Sequence, residues 1–286
     1  AQALVAMVAL EAMRYVRPEP RFSGGPSSIF RHFLLLLLGL APGAAGAKLY
    51  HFPLFSSSRV VQLVLELGLT DVEIVTLEYQ QMKEEPYLSL NPHGTVPAYE
   101  EEGLVLLESA AIVTHLCEKH DAAHRLVPAS GRQRARYYQF AMYAPATLYS
   151  KAGGLYVHAW EFRPGTQGEA RQSVEAIEDS KKWLRDHFVP WIMRELSEGP
   201  YLLGDALSAA DIIMGWEMML LGKVGFLQDF PPLQAYQERL ASHESWRLTY
   251  PAEIHSACVW PHADPACAAL HRGGRLRQAS CAGEEL

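Results

Sequence analysis

The stretch that decides the fold reads YLSLNPHGTVPAYEEEGLVLLESAAI and spans residues 87–112. Asn91, the only asparagine in the chain, precedes Pro92, and because proline biases its predecessor away from helix, this pair predicts a turn. Pro97 follows Val96 at the end of a short apolar run. Since proline cannot donate to a sheet ladder, this run is expected at a sheet edge, where the main chain of Val96 can pair with an extended ligand.

The second half of the stretch predicts a hairpin that leads into a helix. An acidic tip at residues 100–103 separates strands predicted over 95–99 and 104–107. Glu108 and Ser109 then open a helical pattern, where backbone N–H groups point outward and favour a carboxylate. A strand edge beside a helix N-terminus suits a small, extended peptide that bears carboxylates.

The motif N-P-x-G-x-V-P, followed by an acidic hairpin and E-S-x-A-I, resembles the thioredoxin-like domain of the soluble glutathione transferases. The resemblance implies an α/β thioredoxin-like N-terminal domain followed by an all-α C-terminal domain. It also implies that the valine main chain pairs with the cysteinyl part of glutathione, that the proline is cis, and that the Glu-Ser pair holds the γ-glutamyl end. The glutathione-binding residues implied in this way are His93, Thr95, Val96, Pro97, Glu108 and Ser109. The alternative is an ordinary hairpin followed by a helix.

The turn between the first strand and the first helix is expected to carry the chemistry, because a helix N-terminus stabilises a thiolate. In the resembling family a serine or tyrosine hydroxyl in this turn donates a hydrogen bond to the glutathione sulfur and lowers its pKa. The serine register puts Phe55 at the first serine and Ser57 at the second, and the tyrosine register puts His51 at the tyrosine. Ser56, the first hydroxyl after the strand, is the first catalytic candidate and Ser57 is the second. A serine-rich helix cap is the alternative.

The remaining elements of the first half follow the order β-α-β-α-β-β-α of a thioredoxin-like sheet, whose parallel strands need helical crossovers. Gly68 is the expected cap of the first helix, and alternation over 72–79 predicts the second strand. Cys117, with apolar neighbours, is interpreted as a core residue. The predicted elements span residues 48–53, 59–67, 72–79, 80–89 (a loop or short helix), 95–99, 104–107 and 108–120.

Long helical patterns fill the second half of the chain. Residues 133–150 are rich in aromatic residues and are interrupted near Pro145, and residues 172–196 continue the pattern. Aromatic residues at helical spacing are usually core. One or two are nevertheless expected to face the cleft and to form an apolar co-substrate pocket. The candidates are Tyr143, Tyr149 and Trp160.

The segment YLLGDALSAADII, residues 201–213, contains a capping box in its acidic form, with Ser208 and Asp211 before an apolar run. The pattern L-x-G-x-x-x-S-x-A-D is also a signature of the helical domain of the resembling family, where it serves folding. Asp211 is therefore interpreted as structural rather than catalytic.

The composition indicates a globular protein, with 49% hydrophobic and 20% charged residues in a chain of 286. The formal net charge of −7 gives no electrostatic basis for binding nucleic acid. The four cysteines show neither CxxC nor metal-ligand spacing, so no metal is expected. The first turn contains no cysteine, which counts against a thiol-transferase.

The two ends of the chain are expected to lie outside the fold. Residues 1–47 contain an apolar run and an A-x-A ending, the anatomy of a signal peptide, and the run is too short to span a bilayer. Residues 253–286 show no periodicity and are expected to be disordered. Between them we predict a glutathione-binding domain over 48–126 and an all-helical domain over 127–252. A cytoplasmic location is expected if residues 1–47 are not a signal, and the secretory pathway otherwise.

The resemblance implies a homodimeric glutathione transferase that conjugates its co-substrate, glutathione, to a small, apolar electrophile. No metal, nucleic acid or membrane partner is expected for the mature chain. Two alternatives stay open. One is a non-catalytic binding or assembly module of the same fold, and the other is a different glutathione-dependent reaction, such as isomerisation, dehalogenation or peroxide reduction.

Overall fold

The computed structural model describes residues 46–161 and 168–250. The predicted signal segment, apart from its last two residues, and the tail predicted to be disordered lie outside the described residues. A mixed sheet with helices forms the first part of the described chain, and helices form the second part. The predicted domain boundaries, 48–126 and 127–252, stay predictions.

The sheet is built from the strands β1 (Ala47–His51), β2 (Val72–Thr76), β3 (Ala98–Glu101) and β4 (Leu104–Leu107). The strand order is β2-β1-β3-β4. β1 is parallel to β2 and antiparallel to β3, and β3 and β4 form an antiparallel hairpin. Its tip residues Glu102 and Gly103 have φ angles of 49° and 82°, the two positive values that a tight type I′ turn requires.

The helices α1 (Ser58–Leu67), α2 (Tyr87–Leu90) and α3 (Ser109–His120) complete the first part, with a 3₁₀ helix over Gln80–Lys83. α1 connects the parallel strands β1 and β2, which cannot be joined by a tight turn. It ends at Gly68, whose φ of 66° forms a left-handed cap that suits glycine. The predicted order β-α-β-α-β-β-α is confirmed.

The prediction that Pro97 lies in an edge strand is wrong. β3 begins at Ala98 and lies between β1 and β4. Pro97 precedes the ladder, so its missing N–H removes no sheet hydrogen bond. The main chain of Val96 is free of the sheet because it lies before the strand, not because the strand is at an edge. The Val96–Pro97 peptide is cis.

The second part contains the helices α4 (Gly131–Tyr143), α5 (Tyr149–Tyr156), α6 (Val174–Trp183), α7 (Val189–Glu195), α8 (Ala209–Lys223), α9 (Pro231–Ala241) and α10 (Glu244–Thr249). The segments Ala144–Leu148, Val157–Glu161 and Leu184–Phe188 are π-helical, and Glu169–Arg171, Leu196–Glu198 and Phe226–Asp229 are 3₁₀. The interruption predicted near Pro145 falls in the first π-helical segment. Within the described ranges, no helix has the length and apolar character that crossing a bilayer requires.

α8 is the centre of the helical part, since every residue over 209–221 is buried. Asp211, in its first turn, accepts four hydrogen bonds. The donors are the N–H of Leu202 at 2.9 Å, the N–H and hydroxyl of Ser208 at 2.9 and 2.5 Å, and the hydroxyl of Tyr236 at 2.8 Å. The carboxylate thereby joins the preceding loop, α8 and α9, which fits a structural role.

We predict that Asp211→Ala lowers the free energy of unfolding by about 3–5 kcal/mol, because its buried donors lose their acceptor. Urea unfolding followed by circular dichroism measures the change. Asp205→Ala, at an exposed position, is the matched control and should change stability by less than about 0.5 kcal/mol. A loss below about 1 kcal/mol for Asp211→Ala would contradict the structural role.

Candidate functional site

A cavity of about 350 Å³ lies between the sheet part and the helical part. Its polar wall comes from the loop before β3, the turn before α1 and the N-terminus of α3. Its apolar wall comes mainly from α5 and α8. The cavity brings together the predicted site residues Ser56, His93, Thr95, Val96, Pro97, Glu108, Ser109 and Tyr149.

The loop before β3 is fixed by hydrogen bonds to one carbonyl. The hydroxyl of Tyr87 and the side-chain amide of Asn91 donate to the Thr95 carbonyl at 2.5 and 2.7 Å. Asn91 Oδ1 also accepts from the N–H of His93 at 3.1 Å. The adjacent N–H of Val96 has no hydrogen-bond partner within the described residues, and Val96 lines the cavity. A ligand carbonyl can therefore pair with it.

Ser56 contributes a hydroxyl to the cavity wall. Its side chain is partly exposed, and Oγ donates to the carbonyl of Val96 at 3.1 Å. Ser56 immediately precedes Ser57, the N-cap residue of α1. The positive end of the helix dipole favours an anion beside this hydroxyl.

Ser57 is buried and is not among the described residues that line the cavity. Its Oγ donates to the Phe52 carbonyl at 3.2 Å and accepts from the Phe52 N–H at 3.3 Å. The same oxygen lies 2.9 Å from Nδ1 of His51. These contacts stabilise the turn between β1 and α1, so the geometry favours Ser56 over Ser57 as the hydroxyl that meets a ligand.

Glu108 and Ser109 line the cavity at the N-terminus of α3. Glu108 is the N-cap residue, and its φ of 69° is a strained value that costs a non-glycine residue on the order of 1–3 kcal/mol. Ser109 is buried, and its Oγ accepts a hydrogen bond from Nη1 of Arg59 at 2.9 Å. The unpaired first-turn amides and the dipole of α3 favour a carboxylate here.

Arg59 lines the cavity and forms a buried network with three acceptors. The side chain is 2% exposed, and its Nε donates to the carbonyl of Ile213 at 3.1 Å. Nη2 pairs with Glu217, which is 0% exposed, and the guanidinium lies 4.5 Å from the ring centroid of Trp216. Burial raises the pKa of Glu217 to about 7, and the charge of Arg59 opposes that rise. Sequence reasoning missed this network, although a lone cation in the apolar run of α1 was a usable signal.

The apolar wall is organised around Trp216. Its Nε1 donates to the carbonyl of Leu54 at 2.8 Å, which ties α8 to the turn before α1. Tyr149 lies beside it, with ring centroids 5.2 Å apart. A Cβ at Gly153 would lie 2.5 Å from the Tyr149 ring, so glycine is required for this ring position. The wall is completed by Tyr156, Val157 and Leu220.

The structure separates Tyr143 and Trp160 from Tyr149, and neither is among the described residues that line the cavity. Tyr143 packs against Trp191 of α7, with ring centroids 4.3 Å apart, and lines a separate surface hollow. Trp160 lies beside Lys223 at the far end of α8, with Nζ 5.2 Å from its ring centroid. Of the three candidates, Tyr149 lies at the cavity, and the other two pack against different parts of the helical bundle.

Comparisons with known proteins agree with this geometry. A family model described as the glutathione S-transferase N-terminal domain matches residues 49–124. Glutathione S-transferase-like protein OpS6 of Beauveria bassiana is 30% identical over 187 residues, which cover 62% of this chain and 79% of that protein. The chain belongs to the glutathione S-transferase family.

Further relatives of this glutathione S-transferase family member confirm the predicted fold class. Glutathione S-transferase D7 of Drosophila melanogaster is 29% identical over 170 residues, 58% of this chain and 70% of that protein. The structure of BphK, described as a bacterial GST, is 28% identical with a TM-score of 0.60 and covers 72% of this chain and 98% of its own. URE2P6 from Phanerochaete chrysosporium, in complex with oxidised glutathione, is 19% identical with a TM-score of 0.62 and covers 74% and 97%, a likeness of fold.

The buried imidazole of His51 is expected to make the stability of the chain depend on pH. Burial lowers the pKa of His51 to about 4. Between that value and the ordinary value near 6.5, the native state binds fewer protons than the unfolded state, so stability falls as pH falls through this window.

We predict that, between pH 7 and pH 4, the wild type loses up to about 3 kcal/mol more stability than His51→Gln. Urea unfolding at closely spaced pH values measures both slopes. His187→Gln, at an exposed position, controls for the removal of one imidazole and should keep the wild-type slope. Parallel pH profiles for the wild type and His51→Gln would show that His51 is not the group responsible.

Proposed function

We propose that this chain is a glutathione transferase, which conjugates the thiolate of glutathione to a small, apolar electrophile. The observation that carries the proposal is the meeting of Ser56, Val96 and Ser109 on the wall of one cavity. These residues offer a hydroxyl, a main-chain pairing site and a helix N-terminus, which match the thiol, the amides and a carboxylate of glutathione. The names of the relatives and the oxidised glutathione in the URE2P6 structure support glutathione as the ligand.

Glutathione lies extended along the polar wall in this proposal. The main chain of Val96 pairs with the cysteinyl residue. Glu108 accepts from the amino group of the γ-glutamyl end, and Ser109 with the first-turn amides of α3 donates to its carboxylate. The polar wall is completed by His93, Thr95 and Pro97.

Ser56 activates the thiol in this proposal by donating a hydrogen bond to the sulfur, which favours the thiolate, and the thiol proton is released to water. The hydroxyl now donates to the carbonyl of Val96. When the cysteinyl N–H of glutathione donates to that carbonyl, Ser56 can turn to the sulfur without leaving Val96 unsatisfied. The thiolate then attacks the electrophile, a carbon–sulfur bond forms, and the leaving group departs with the electron pair.

The electrophile binds against the apolar wall in this proposal. Tyr149 and Trp216 present aromatic faces there, and Tyr156, Val157 and Leu220 extend the surface. A site of this kind binds small apolar molecules and excludes water from the attacking sulfur. Tyr149 is the one predicted co-substrate residue that supports this part of the proposal.

A binding module without catalysis is the second candidate. The observation that favours it is the hydrogen bond from Ser56 to Val96, since a hydroxyl that keeps this bond cannot activate a thiol. Glutathione would bind along Val96 and the N-terminus of α3 in both cases. The ionisation state of bound glutathione separates the two candidates.

A homodimer is also part of the proposal. β4 is an edge strand, and it exposes Leu104 and Val105 by 44% and 41%. α4 exposes Tyr138 and Met142 by 41% and 52%. Burial of these side chains in a second copy would stabilise a dimer, and sedimentation velocity would show a single monomeric species if they remain exposed.

We predict that the thiol pKa of bound glutathione lies below its free value and that Ser56→Ala raises it by about 1–2 units, the loss of one hydrogen bond to a charged group. Calorimetry of the full chain gives the glutathione affinity, and thiolate absorbance across a pH series gives the ionisation. Ser57→Ala, one residue along the same turn, is the matched control and should leave the thiol pKa of the bound ligand unchanged. An unshifted thiol would favour the binding module, and no binding at millimolar glutathione would refute both candidates.

A further inference from the structure

The hydroxyl proton of Ser109 has no acceptor within the described part of the chain. Ser109 is 3% exposed and lines the cavity. Its Oγ accepts a hydrogen bond from Nη1 of Arg59, and the described residues provide no further partner for it. A serine hydroxyl has one proton to donate. Because the arginine occupies an acceptor position on the oxygen, the proton is left for a group in the cavity.

Arg59 lines the same cavity, and its other hydrogen bonds hold Nη1 on Ser109. Its Nε donates to the carbonyl of Ile213, and its Nη2 pairs with Glu217. Its guanidinium plane is covered by Trp216. The fixed fork of a guanidinium satisfies three separate acceptors at once, which a lysine ammonium on a flexible stem cannot do with the same geometry.

In the proposed pose Glu108 accepts from the amino group of the γ-glutamyl end, and the groups of the chain that face its carboxylate are donors. They are the hydroxyl of Ser109 and the first-turn amides of α3, at the positive end of its dipole. A carboxylate accepts from these donors with both oxygens. A carboxamide would turn an NH₂ group toward at least one of them and would lose the charge that the helix end favours.

We infer that Arg59 is a positioning residue that commits Ser109 to donate, and that this makes the site select a carboxylate over a carboxamide at the γ-glutamyl end of the ligand. The inference rests on the proposed function and adds to it the origin of ligand selectivity. Arg59 acts through Ser109, and Glu217 is the counter-ion that fixes its orientation.

The test compares glutathione with its analogue in which the α-carboxylate of the γ-glutamyl residue is a carboxamide. Calorimetry on the full chain gives both dissociation constants, and their ratio measures selectivity. The ratio does not depend on the fraction of protein that is folded, so a loss of stability alone leaves it unchanged. We expect the wild type to prefer glutathione on the order of 10- to 100-fold.

Arg59→Lys should lower this ratio to within about threefold of the value for Ser109→Ala, because the lysine keeps the charge but loses the fork. In the double variant, Arg59→Lys should lower the ratio no further, since its effect passes through the missing hydroxyl. Gln62→Met, at an equally buried position on α1, is the matched control and should keep the wild-type ratio. An unchanged ratio in Arg59→Lys, or an equal loss in the presence and absence of Ser109, would overturn the inference.

Glu217→Gln keeps the test decisive if Arg59→Lys does not fold. The amide oxygen of glutamine can still accept from Nη2 of Arg59, so the orientation of Ser109 and the ratio are expected to persist. A direct charge effect of Arg59 on the ligand would instead strengthen the carboxylate preference once its counter-ion is removed. A rise of tenfold or more would therefore overturn the positioning role.

Failure of the inference and failure of the proposed function give different results. If the wild type binds both ligands equally well, the selectivity inference is refuted and glutathione binding stands. If the wild type binds neither ligand at millimolar concentration, the proposed function itself is refuted. Binding of glutathione with loss of the ratio in Arg59→Lys supports both.

Discussion

The buried guanidinium of Arg59 is the constraint on which the rest of the site depends. A charge removed from water is tolerated only where its donors are matched by acceptors and a counter-ion. Ile213 and Glu217 provide these from α8, and Ser109 provides one from α3. Because α1 carries the arginine, the sheet part and the helical part are fixed against each other at the place where the cavity forms.

The contacts of Arg59 with α3 and α8 determine the geometry of the cavity. Trp216 contacts both Arg59 and Tyr149 and donates to the carbonyl of Leu54, so the apolar wall is joined to the turn before α1. The loop before β3 is fixed separately, by the bonds of Tyr87 and Asn91 to one carbonyl. Rigid elements on both sides place a hydroxyl, a main-chain edge and a helix N-terminus around one volume, as a preorganised site requires.

Local sequence patterns predicted the features that depend on local chemistry. The turn at Asn91 and the hairpin follow from proline and glycine preferences. Features that depend on distant partners could not be predicted in this way. Arg59 meets Glu217 across 158 positions of sequence, and no periodicity connects them. Tyr143, Tyr149 and Trp160 could not be ranked for the same reason, since helix packing and not spacing decides which aromatic ring reaches the cleft.

The most direct test of the account is a crystal structure of the full chain with glutathione. The account predicts that the ligand lies extended in the 350 Å³ cavity, with its main chain paired to Val96 and its γ-glutamyl carboxylate on Ser109. It also predicts that Oγ of Ser56 leaves the Val96 carbonyl and approaches the sulfur within hydrogen-bond distance, about 3.5 Å or less. Glutathione bound elsewhere, or bound with its sulfur beyond the reach of Ser56, would contradict the account.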